Sequence, residues 1–478
     1  MRVEQEVVGV VSSNMACAEP TMPKPAETAA EVAARLNGGG ARFVAVAPGR
    51  LDVLGGLAEY SGALVLGLTM GHHVGVAAQR RSDGKLWIAG CPTGANGRAI
   101  DIPISTLIES NGQASPAARS DRAASGELDD SGICVLGALA EGVRDGLLPA
   151  PTNGFSISIG GAMDGIHGGG RHSAIAAATL AAATVAMDRQ PQAMAIAAAC
   201  QRVENNWLNA PVGMADAACA LLGESDAILE VRCESGTLGG TFRLPADSML
   251  LGVDCGVLQN DADEKYRHVR TATYMGRLLI DRIIQHERMK TLAWDGFLSR
   301  ISVADFVEHF RDRLPPKMKG KEFLERFGET GDALTRVEPT EVYKIRSRTE
   351  HHIYEHARSR QFVECLSRSR NDSSALVSAG ELMNASHWSY GQRCGLGSVE
   401  TDSLVTLIRK HGQDAGIYGA KVSGRGCGGL VAVLLERSDR SLTALDAAIE
   451  DYSARSGRRA HVLRGSTPGA LISGVQRL

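Results

Sequence analysis

Apolar and polar positions along the first half of the chain predict strands and helices in mixed order. The run ARFVAVAP (41–48) is β-branched and apolar and predicts the first strand of the fold. ICVLGALAEGVRDGLL (133–148) predicts a helix, and GFSISIGG (154–161) alternates like a strand. RHSAIAAATLAAATVAMD (171–188) is rich in alanine and has few breakers, which predicts another helix. A strand, a glycine-rich loop and a helix therefore follow one another near residue 165.

The second half of the chain begins with strand patterns and continues as a helix-rich region. LEVRCESGTLGGTFRLP (229–245) predicts a hairpin, and SMLLGVDCGV (248–257) predicts a buried strand. Helical patterns then reach about residue 410, before strands in GLVAVLL (429–435) and AHVLRG (460–465). There is no internal repeat and no regular βαβ rhythm, so the order favours an α+β architecture in two lobes.

Two polar segments fall outside these patterns. Residues 1–40 mix proline, alanine and glutamate and predict a flexible N-terminal extension with one short helix in ETAAEVAARL (27–36). Residues 109–132 are rich in Ser, Ala, Asp and Gly and predict a surface loop. The N-terminal segment does not resemble a signal peptide and no uninterrupted apolar run reaches 18 residues, so we expect a cytoplasmic protein without membrane spans.

Composition narrows the function classes further. With 478 residues and 44% hydrophobic positions, the chain can form two or three domains with a substantial core. The net charge of −3 and the lack of a long Lys/Arg run argue against nucleic acid as a partner. The ten cysteines are scattered, without a C-x-x-C pair or zinc spacing, which predicts reduced thiols. A protein that binds small molecules is the best expectation, and its oligomeric state stays open.

Three segments rich in glycine carry the first hint of chemistry: APGRLDVLGG (47–56), GIHGGGRHSA (165–174) and YGAKVSGRGCGGL (418–430). The middle one leads from a strand into a helix, where free backbone N–H groups and the helix dipole favour a phosphate. It is neither a Walker loop nor a G-x-G-x-x-G fingerprint. Taken alone, a flexible turn explains it equally well.

The segment 47–67, APGRLDVLGGLAEYSGALVLG, resembles the first signature of the GHMP sugar kinases, in particular of the galactokinase family and its L-arabinokinase version. The resemblance continues in the same order through four further segments, so that it covers most of residues 41–435. These segments are CQRVENNWLNAPVGMADAACALLG (200–223), DEKYRHVRTATYMGRLLI (263–280), GELMNASHWSY (380–390) and GIYGAKVSGRGCGGLVAVLL (416–435).

This resemblance implies a fold, a reaction and two bound species. The fold has an N-terminal lobe of the ribosomal S5 domain 2 type, predicted at residues 41–248, and a ferredoxin-like C-terminal lobe at 249–478. ATP and a sugar bind in the cleft between the lobes, and Mg²⁺ accompanies the ATP. The implied reaction is phosphorylation of the anomeric hydroxyl of a monosaccharide.

Catalytic roles follow from the resemblance for two residues. Asp216 matches the carboxylate that orients the sugar hydroxyl and accepts its proton. Arg50 matches the arginine beside it, which stabilises charge on the transferred phosphoryl group. Without the resemblance, Asp216 reads as a helix cap and Arg50 as a surface salt-bridge partner.

The ATP and magnesium sites are implied in the same way. Ser173 and Glu204 match the hydroxyl and carboxylate that hold Mg²⁺, although Glu204 could also be a solvated helix residue. The residues predicted to bind ATP are Gly168, Gly169, Gly170, Arg171, His172, Ser173, Gly424 and Gly426.

The residues predicted to bind the sugar are Gly56, Glu59, Tyr60 and Tyr266. Glu59 and Tyr60 stand where the family has Asp-Tyr. Gly56 and Leu57 replace the Glu-His pair that the family assigns to galactose hydroxyls, including the exocyclic one. A pentose has no hydroxymethyl arm, so a site without those side chains suits L-arabinose first and galactose or another hexose second.

Three departures from the family pattern lie near the expected substrates. GGGRHSA places Arg171 and His172 where serines are usual, Ala217 replaces a glutamine, and GVLQND (256–261) lacks the usual Arg-His-Ser. They raise an alternative function, a kinase relative that senses sugar or nucleotide with little turnover. Because Asp216, Arg50 and Glu204 are all present, we expect an active ATP- and Mg²⁺-dependent sugar 1-kinase.

Overall fold

The computed structural model describes residues 22–90, 98–106, 128–149, 154–289, 294–369, 372 and 374–478. The strands are β1 Arg42–Leu54, β2 Leu64–Arg81, β3 Lys85–Ala89, β4 Ile100–Pro103, β5 Gly154–Gly161, β6 Ala227–Arg232, β7 Thr237–Arg243, β8 Ser248–Leu258, β9 Met318–Lys319, β10 Val342–Tyr343, β11 Ile417–Val422, β12 Gly428–Glu436, β13 His461–Leu463 and β14 Gln476–Arg477. The α-helices are α1 Pro25–Ala34, α2 Asp130–Arg144, α3 Arg171–Ala186, α4 Ala193–Arg202, α5 Ala215–Leu222, α6 Ala262–Glu287, α7 Val303–Asp305, α8 Gly320–Phe327, α9 Ile345–Arg368, α10 Ser374–Ser389, α11 Val399–His411, α12 Asp439–Ser456 and α13 Ala470–Ser473.

The larger sheet has the order β14-β1-β2-β5-β3-β4, with β6 and β7 continuing from the other half of β2. Its pairs are antiparallel except β3 with β5. Helix α3 lies across β1 and β2, and helices α2, α4 and α5 pack around it. Alanine occupies eight of the sixteen positions of α3, and these small side chains let the helix sit close to the sheet. The N-terminus of α3 is thereby held at the ends of β1 and β5.

The smaller sheet has the order β11-β12-β8-β13, and all its pairs are antiparallel. Helices α11 and α12 cover it and enclose a second apolar core around Val253, Val431 and Tyr452. Mixed helices and sheets in this order confirm the α+β class.

The two sheets are joined by long helices and by the end of the chain. Helix α10 packs on β11 so closely that a Cβ atom on Gly380 would lie 2.1 Å from the carbonyl oxygen of Tyr418. Helix α9 contacts α6, α10 and β2. Strand β14 pairs with β1, so the last residues lie on the larger sheet. A lobe boundary at residue 248 stays a prediction.

Helix α1 corrects part of the prediction for the N-terminus. Its residues Ala29, Val32 and Ala33 are buried against β1 and β2, and the Thr28 hydroxyl bonds the His73 ring at 3.0 Å. Burial of this apolar face outweighs the polar composition around it, so the helix is an integral part of the fold and not a loose attachment. Residues 1–21 of the predicted extension lie outside the described part of the chain.

The remaining element predictions agree with the structure where it describes them. The strands and helices predicted from residue 41 onward, and the hairpin of β6 and β7, are all present. Most of the predicted loop 109–132 lies outside the described residues. Within the described segments, no helix combines the length and apolarity needed to cross a bilayer.

Candidate active site

The centre of the candidate site is Arg50, which lies on β1 and is only 6% exposed. Its Nε donates a hydrogen bond to Asp216 Oδ1, and its NH1 lies 3.3 Å from Asp52 Oδ1. Its backbone N–H donates to the Gly169 carbonyl at 2.9 Å. Burial lowers the pKa of Arg50, but Asp216 and Asp52 more than reverse this, so the guanidinium stays charged. Arg50 therefore ties the predicted catalytic carboxylate to the glycine-rich loop.

Asp216 lies at the second position of α5, where Met214 is the residue that precedes the helix as its N-cap. Asp216 is therefore not the N-cap of this helix, which was the alternative role considered from the sequence. One carboxylate oxygen is bonded to Arg50, while Oδ2 lies 3.3 Å from the Cβ position of Gly170. The side chain is 29% exposed. Asp216 thus stands between a fixed guanidinium and the start of α3, with one oxygen free of Arg50.

The glycine loop before α3 has the backbone conformation that an anion site requires. Gly168 and Gly170 have φ values of 81° and 73°, which favour glycine. Gly170 is the N-cap of α3, whose first amide groups have no partner within the helix. A Cβ atom on Gly169 would lie 2.8 Å from Met70 Cε, so a larger residue would require the Met70 side chain to move. The loop can present backbone N–H groups and the positive end of a helix dipole to a phosphate.

Ser173 and Glu204 are brought together behind this loop. Ser173 is 1% exposed and its hydroxyl donates to Glu204, which is 7% exposed. Burial raises the pKa of Glu204 to about 7, and Asp216 adds to the effect. Glu204 lies in a π-helical turn, Val203–Trp207, that widens the end of α4 and directs this side chain inward.

Arg171 and His172, the two departures from the family pattern in this loop, contact the preceding loop and the start of α2. Arg171 pairs with Asp164 at 3.0 Å and donates to the Ser131 hydroxyl at 2.9 Å. His172 Nε2 lies 3.7 Å from Asp130 Oδ2 at the start of α2. Their predicted contact with ATP stays a prediction.

The third glycine segment meets the second one. Gly424 and Gly426 have φ values of 68° and 79°. The Cβ position of Gly424 is 3.4 Å from the Gly168 carbonyl oxygen, and the Tyr390 hydroxyl donates to the Gly424 carbonyl at 3.0 Å. The smaller sheet therefore supports the glycine loop before α3 through Gly424.

Glu59 approaches Asp216 from the other side. Its Oε1 accepts the Ala215 N–H at 2.6 Å, and its side chain lies against Gly213, where a Cβ atom would be 2.1 Å from Glu59 Cδ. Burial raises the pKa of Glu59 to about 7, with Arg50 opposing and Asp216 adding to the rise. The glycine in APVGMAD is therefore needed for Glu59 to reach the start of α5.

Tyr60 and Tyr266 form an aromatic corner next to these carboxylates. Their rings meet edge to face with centroids 6.2 Å apart, and Arg270 lies 4.7 Å above the Tyr60 ring. The Tyr60 hydroxyl lies 2.7 Å from His352 Nε2, while His352 Nδ1 is 2.8 Å from the Arg348 carbonyl oxygen. Because that carbonyl can only accept, Nδ1 carries the hydrogen and Nε2 accepts from Tyr60. The Tyr60 hydroxyl can then only accept a hydrogen bond from a ligand.

Packing explains why Gly56 and Leu57 stand at these positions, and the sequence alone did not show this. The Gly56 N–H donates to Asp52 Oδ1 at 3.0 Å, and a Cβ atom on Gly56 would lie 2.7 Å from that carboxylate. Leu57 is 1% exposed in an apolar cluster with Tyr266 and Tyr390. Asp52 thus occupies the space beside Gly56. The substrate-binding role of Gly56 stays a prediction.

Asp52 and Lys421 were missed in the sequence analysis, although both are charged residues inside apolar strands. Asp52 on β1 is 1% exposed and Lys421 on β11 is fully buried, with Lys421 Nζ 3.0 Å from Asp52 Oδ2. Burial alone would raise the pKa of Asp52. Lys421 and Arg50 lower it by more than burial raises it, so the pKa ends below its usual value. A series of ion pairs therefore connects the site to the smaller sheet, from Asp216 through Arg50 and Asp52 to Lys421.

A pH-dependent stability is expected from Glu59. Its pKa of about 7 in the folded chain exceeds that of an unfolded glutamate, so folding retains a proton that the unfolded chain loses above about pH 4.3. The stabilisation is complete below that pH and is lost as the pH rises through 7. Glu59→Gln should therefore reduce the fall in unfolding free energy between pH 5 and pH 8 by about 1–2 kcal/mol, measured by urea denaturation.

The exposed Glu325 on α8 offers the matched control for that experiment. Glu325→Gln removes a carboxylate of the same type without altering a buried proton site, and its pH dependence should follow the unmodified chain. Equal pH dependence in Glu59→Gln and Glu325→Gln would contradict the assignment.

Known proteins resemble this chain in sequence and in fold. Residues 368–454 match the family model of the C-terminal domain of GHMP kinases. L-arabinokinase of Arabidopsis thaliana is 28% identical over 91% of this chain, and the match spans 47% of that protein. The chain therefore spans about half the length of this curated relative.

Solved structures show the same fold at lower identity. Lactococcus lactis galactokinase, solved with galactose, has a TM-score of 0.66 and 18% identity, covering 91% of this chain and 95% of its own. Methanococcus jannaschii mevalonate kinase has a TM-score of 0.53 and 13% identity, covering 89% and 98%. Both lobes of the chain are thus matched by two-lobed kinases of one fold.

Proposed function

Because the chain resembles the galactokinase-like group of the GHMP kinases in sequence and in fold, we propose that it is a kinase of this group, which transfers the γ-phosphoryl group of ATP to the anomeric hydroxyl of a monosaccharide. The observation that carries the proposal is the placement of Asp216, with one oxygen on Arg50 and the other beside Gly170, where the glycine loop ends and α3 begins. A hydroxyl nucleophile beside that free oxygen would face a phosphoryl group bound at the loop.

Each residue of the site has a separate role in this reaction. The anomeric oxygen forms a bond to the γ-phosphorus, the bond from that phosphorus to the β-γ bridging oxygen breaks, and ADP leaves. Asp216 orients the hydroxyl and accepts its proton. Arg50 stabilises charge on the transferred group while its bond to the Gly169 carbonyl keeps the loop in place. Gly168, Gly169 and Gly170 hold the phosphates by their backbone, and Gly424 supports them.

Magnesium fits the donors that the site offers. Ser173 and Glu204 present one hydroxyl and one carboxylate, both buried and already in contact. Mg²⁺ prefers oxygen ligands and takes few from the protein, since water and phosphate oxygens supply the rest. Among the described residues there is no group of three or more metal-binding side chains, so a site shared with ATP fits better than a site made by the protein alone. The ion would neutralise phosphate charge.

L-Arabinose is the proposed substrate. The similarity to L-arabinokinase supports this choice, as does the absence of polar side chains at Gly56 and Leu57. Glu59, whose pKa is raised to about 7, can accept a hydrogen bond as a carboxylate or donate one when it is protonated. Tyr60, restricted to accepting a hydrogen bond by His352, selects hydroxyl donors. A sugar is rich in such donors. We place the reaction in the cytoplasm, because ATP is available there and the eight cysteines among the described residues are free thiols.

The test is ADP release by the purified chain with ATP and a panel of free sugars, with and without Mg²⁺. We expect turnover with L-arabinose, at least about tenfold lower kcat/KM with D-galactose, and loss of turnover on chelation of Mg²⁺. Preference for D-galactose would replace the substrate and leave the kinase in place. If every sugar binds in calorimetry and none is phosphorylated, the chain is a sensor and the proposed reaction is wrong.

A further inference from the structure

Arg348 on α9 is a buried cation without a counter-charge. Four arginines of the described residues are buried, and Arg50, Arg270 and Arg358 each pair with a carboxylate. Arg348 is 6% exposed, and its Nε and NH1 have no hydrogen-bond partner among the described residues. Burial lowers the pKa of Arg348, and no carboxylate offsets the effect. An isolated buried charge is costly, which indicates that a partner is missing.

Arg348 lines a cavity of about 620 Å³, and because its Nε and NH1 have almost no accessible surface, NH2 is the guanidinium nitrogen that can face the cavity. The cavity lies between α6, the segment 334–343 and Gly395, and Arg348 NH2 is 3.3 Å from the Cβ position of Gly395. Its volume falls in the range of small-molecule sites. The His268 ring stacks on Tyr343 with centroids 4.5 Å apart and forms part of the wall.

Other charged residues also line this cavity. Lys265 Nζ pairs with Asp261 at 2.9 Å, and Arg336 NH1 donates to the Asp332 carbonyl at 2.6 Å. Arg267 is partly buried, and Glu264 and Glu338 are exposed. The cavity therefore offers the buried guanidinium of Arg348, a second arginine and exposed carboxylates. Carboxylates repel polyanions such as nucleotides but accept hydrogen bonds from hydroxyl groups.

We propose that this cavity is a second binding site, which takes a small polyhydroxylated metabolite through one phosphate or carboxylate group bound by Arg348. Both kinds of oxyanion can accept a charge-assisted hydrogen bond from the NH2 group of Arg348. The site differs from the candidate active site, since none of the residues assigned there to ATP lines it. Cys394 lines the cavity and packs in the same apolar cluster as Tyr266, so the two sites share a wall.

Inorganic phosphate is the probe for the shared chemistry, with binding followed by calorimetry and by thermal shift. The unmodified chain should gain thermal stability as phosphate is added. Arg348→Met should bind phosphate at least about tenfold more weakly, because a charge-assisted pair is lost. The matched control Arg336→Met removes an arginine from the rim of the same cavity and should retain the affinity. Ribose 5-phosphate and gluconate then distinguish a phosphate source from a carboxylate source.

Stability without phosphate gives a second readout. Arg348→Met should melt at the same or a higher temperature than the unmodified chain in phosphate-free buffer, since it removes an unpaired buried charge. Unchanged phosphate affinity in this variant would place all phosphate elsewhere, for example at the glycine loop, and overturn the proposal. If Arg348→Met does not fold, Arg348→Gln removes the charge but keeps a polar side chain, and equal phosphate affinity there would overturn the proposal. Neither readout depends on kinase activity, so the proposed function can fail independently.

Discussion

Asp216→Asn is expected to lower kcat by about 10²–10⁴-fold while ATP affinity stays within about twofold. Asparagine has the same shape and can still accept the hydrogen bond from Arg50 Nε, so the arrangement at the start of α5 should persist. It cannot take the proton of the attacking hydroxyl. The loss should therefore appear in kcat, measured by coupled ADP release, with ATP binding followed by calorimetry.

Asp281→Asn provides the comparison for this variant. Asp281 lies on α6 and accepts the Trp294 indole N–H at 2.9 Å, outside every residue assigned to the site. The same chemical change there should leave kcat within about twofold. Retention of more than a tenth of kcat by Asp216→Asn would remove Asp216 from the role of base and leave positioning by Arg50 as its function.

Local patterns were enough to predict many elements of this chain and the loop that begins α3, but not the central strand β2. Gly168 and Gly170 have positive φ, which glycine favours, and the alanine-rich run after them favours a helix. Both features therefore depend on residues that are consecutive in the sequence. The meeting of Arg50 with Asp216 is different, because 166 residues separate them. Nothing in the spacing predicts that contact, and only the resemblance to a family brought the two residues together in advance.

Features missed from the sequence depend on tertiary burial. Helix α1 was predicted as a helix, but the burial of its apolar face by the sheet was not. Asp52 and Lys421 interrupt apolar strands, which marks them as unusual, yet a single charge gives no sign of its partner. His352 is similar, since its role depends on which ring nitrogen faces Tyr60. In each case the side chain is defined by a neighbour that is distant in sequence.

Lys421→Met is expected to destabilise the chain by about 3–5 kcal/mol. Lys421 is fully buried and its ammonium lies 3.0 Å from Asp52 Oδ2 and 5.1 Å from the centre of the Tyr390 ring. Methionine fills a similar volume, so the loss comes mainly from Asp52, whose charge would remain buried with Arg50 as its only cation. Urea denaturation at pH 7 measures the change.

The double variant Asp52→Asn with Lys421→Met separates the charge from the packing. Asparagine keeps an oxygen for the Gly56 N–H and carries no charge, so the pair becomes neutral and at least about 2 kcal/mol of the loss should return. Additive losses in the two single variants would show that Asp52 and Lys421 do not depend on each other. Because Asp52 also contacts Arg50, a strong coupling would mean that the bond between β1 and β11 holds the guanidinium beside Asp216. The smaller sheet would then contribute to the reaction without contacting the sugar.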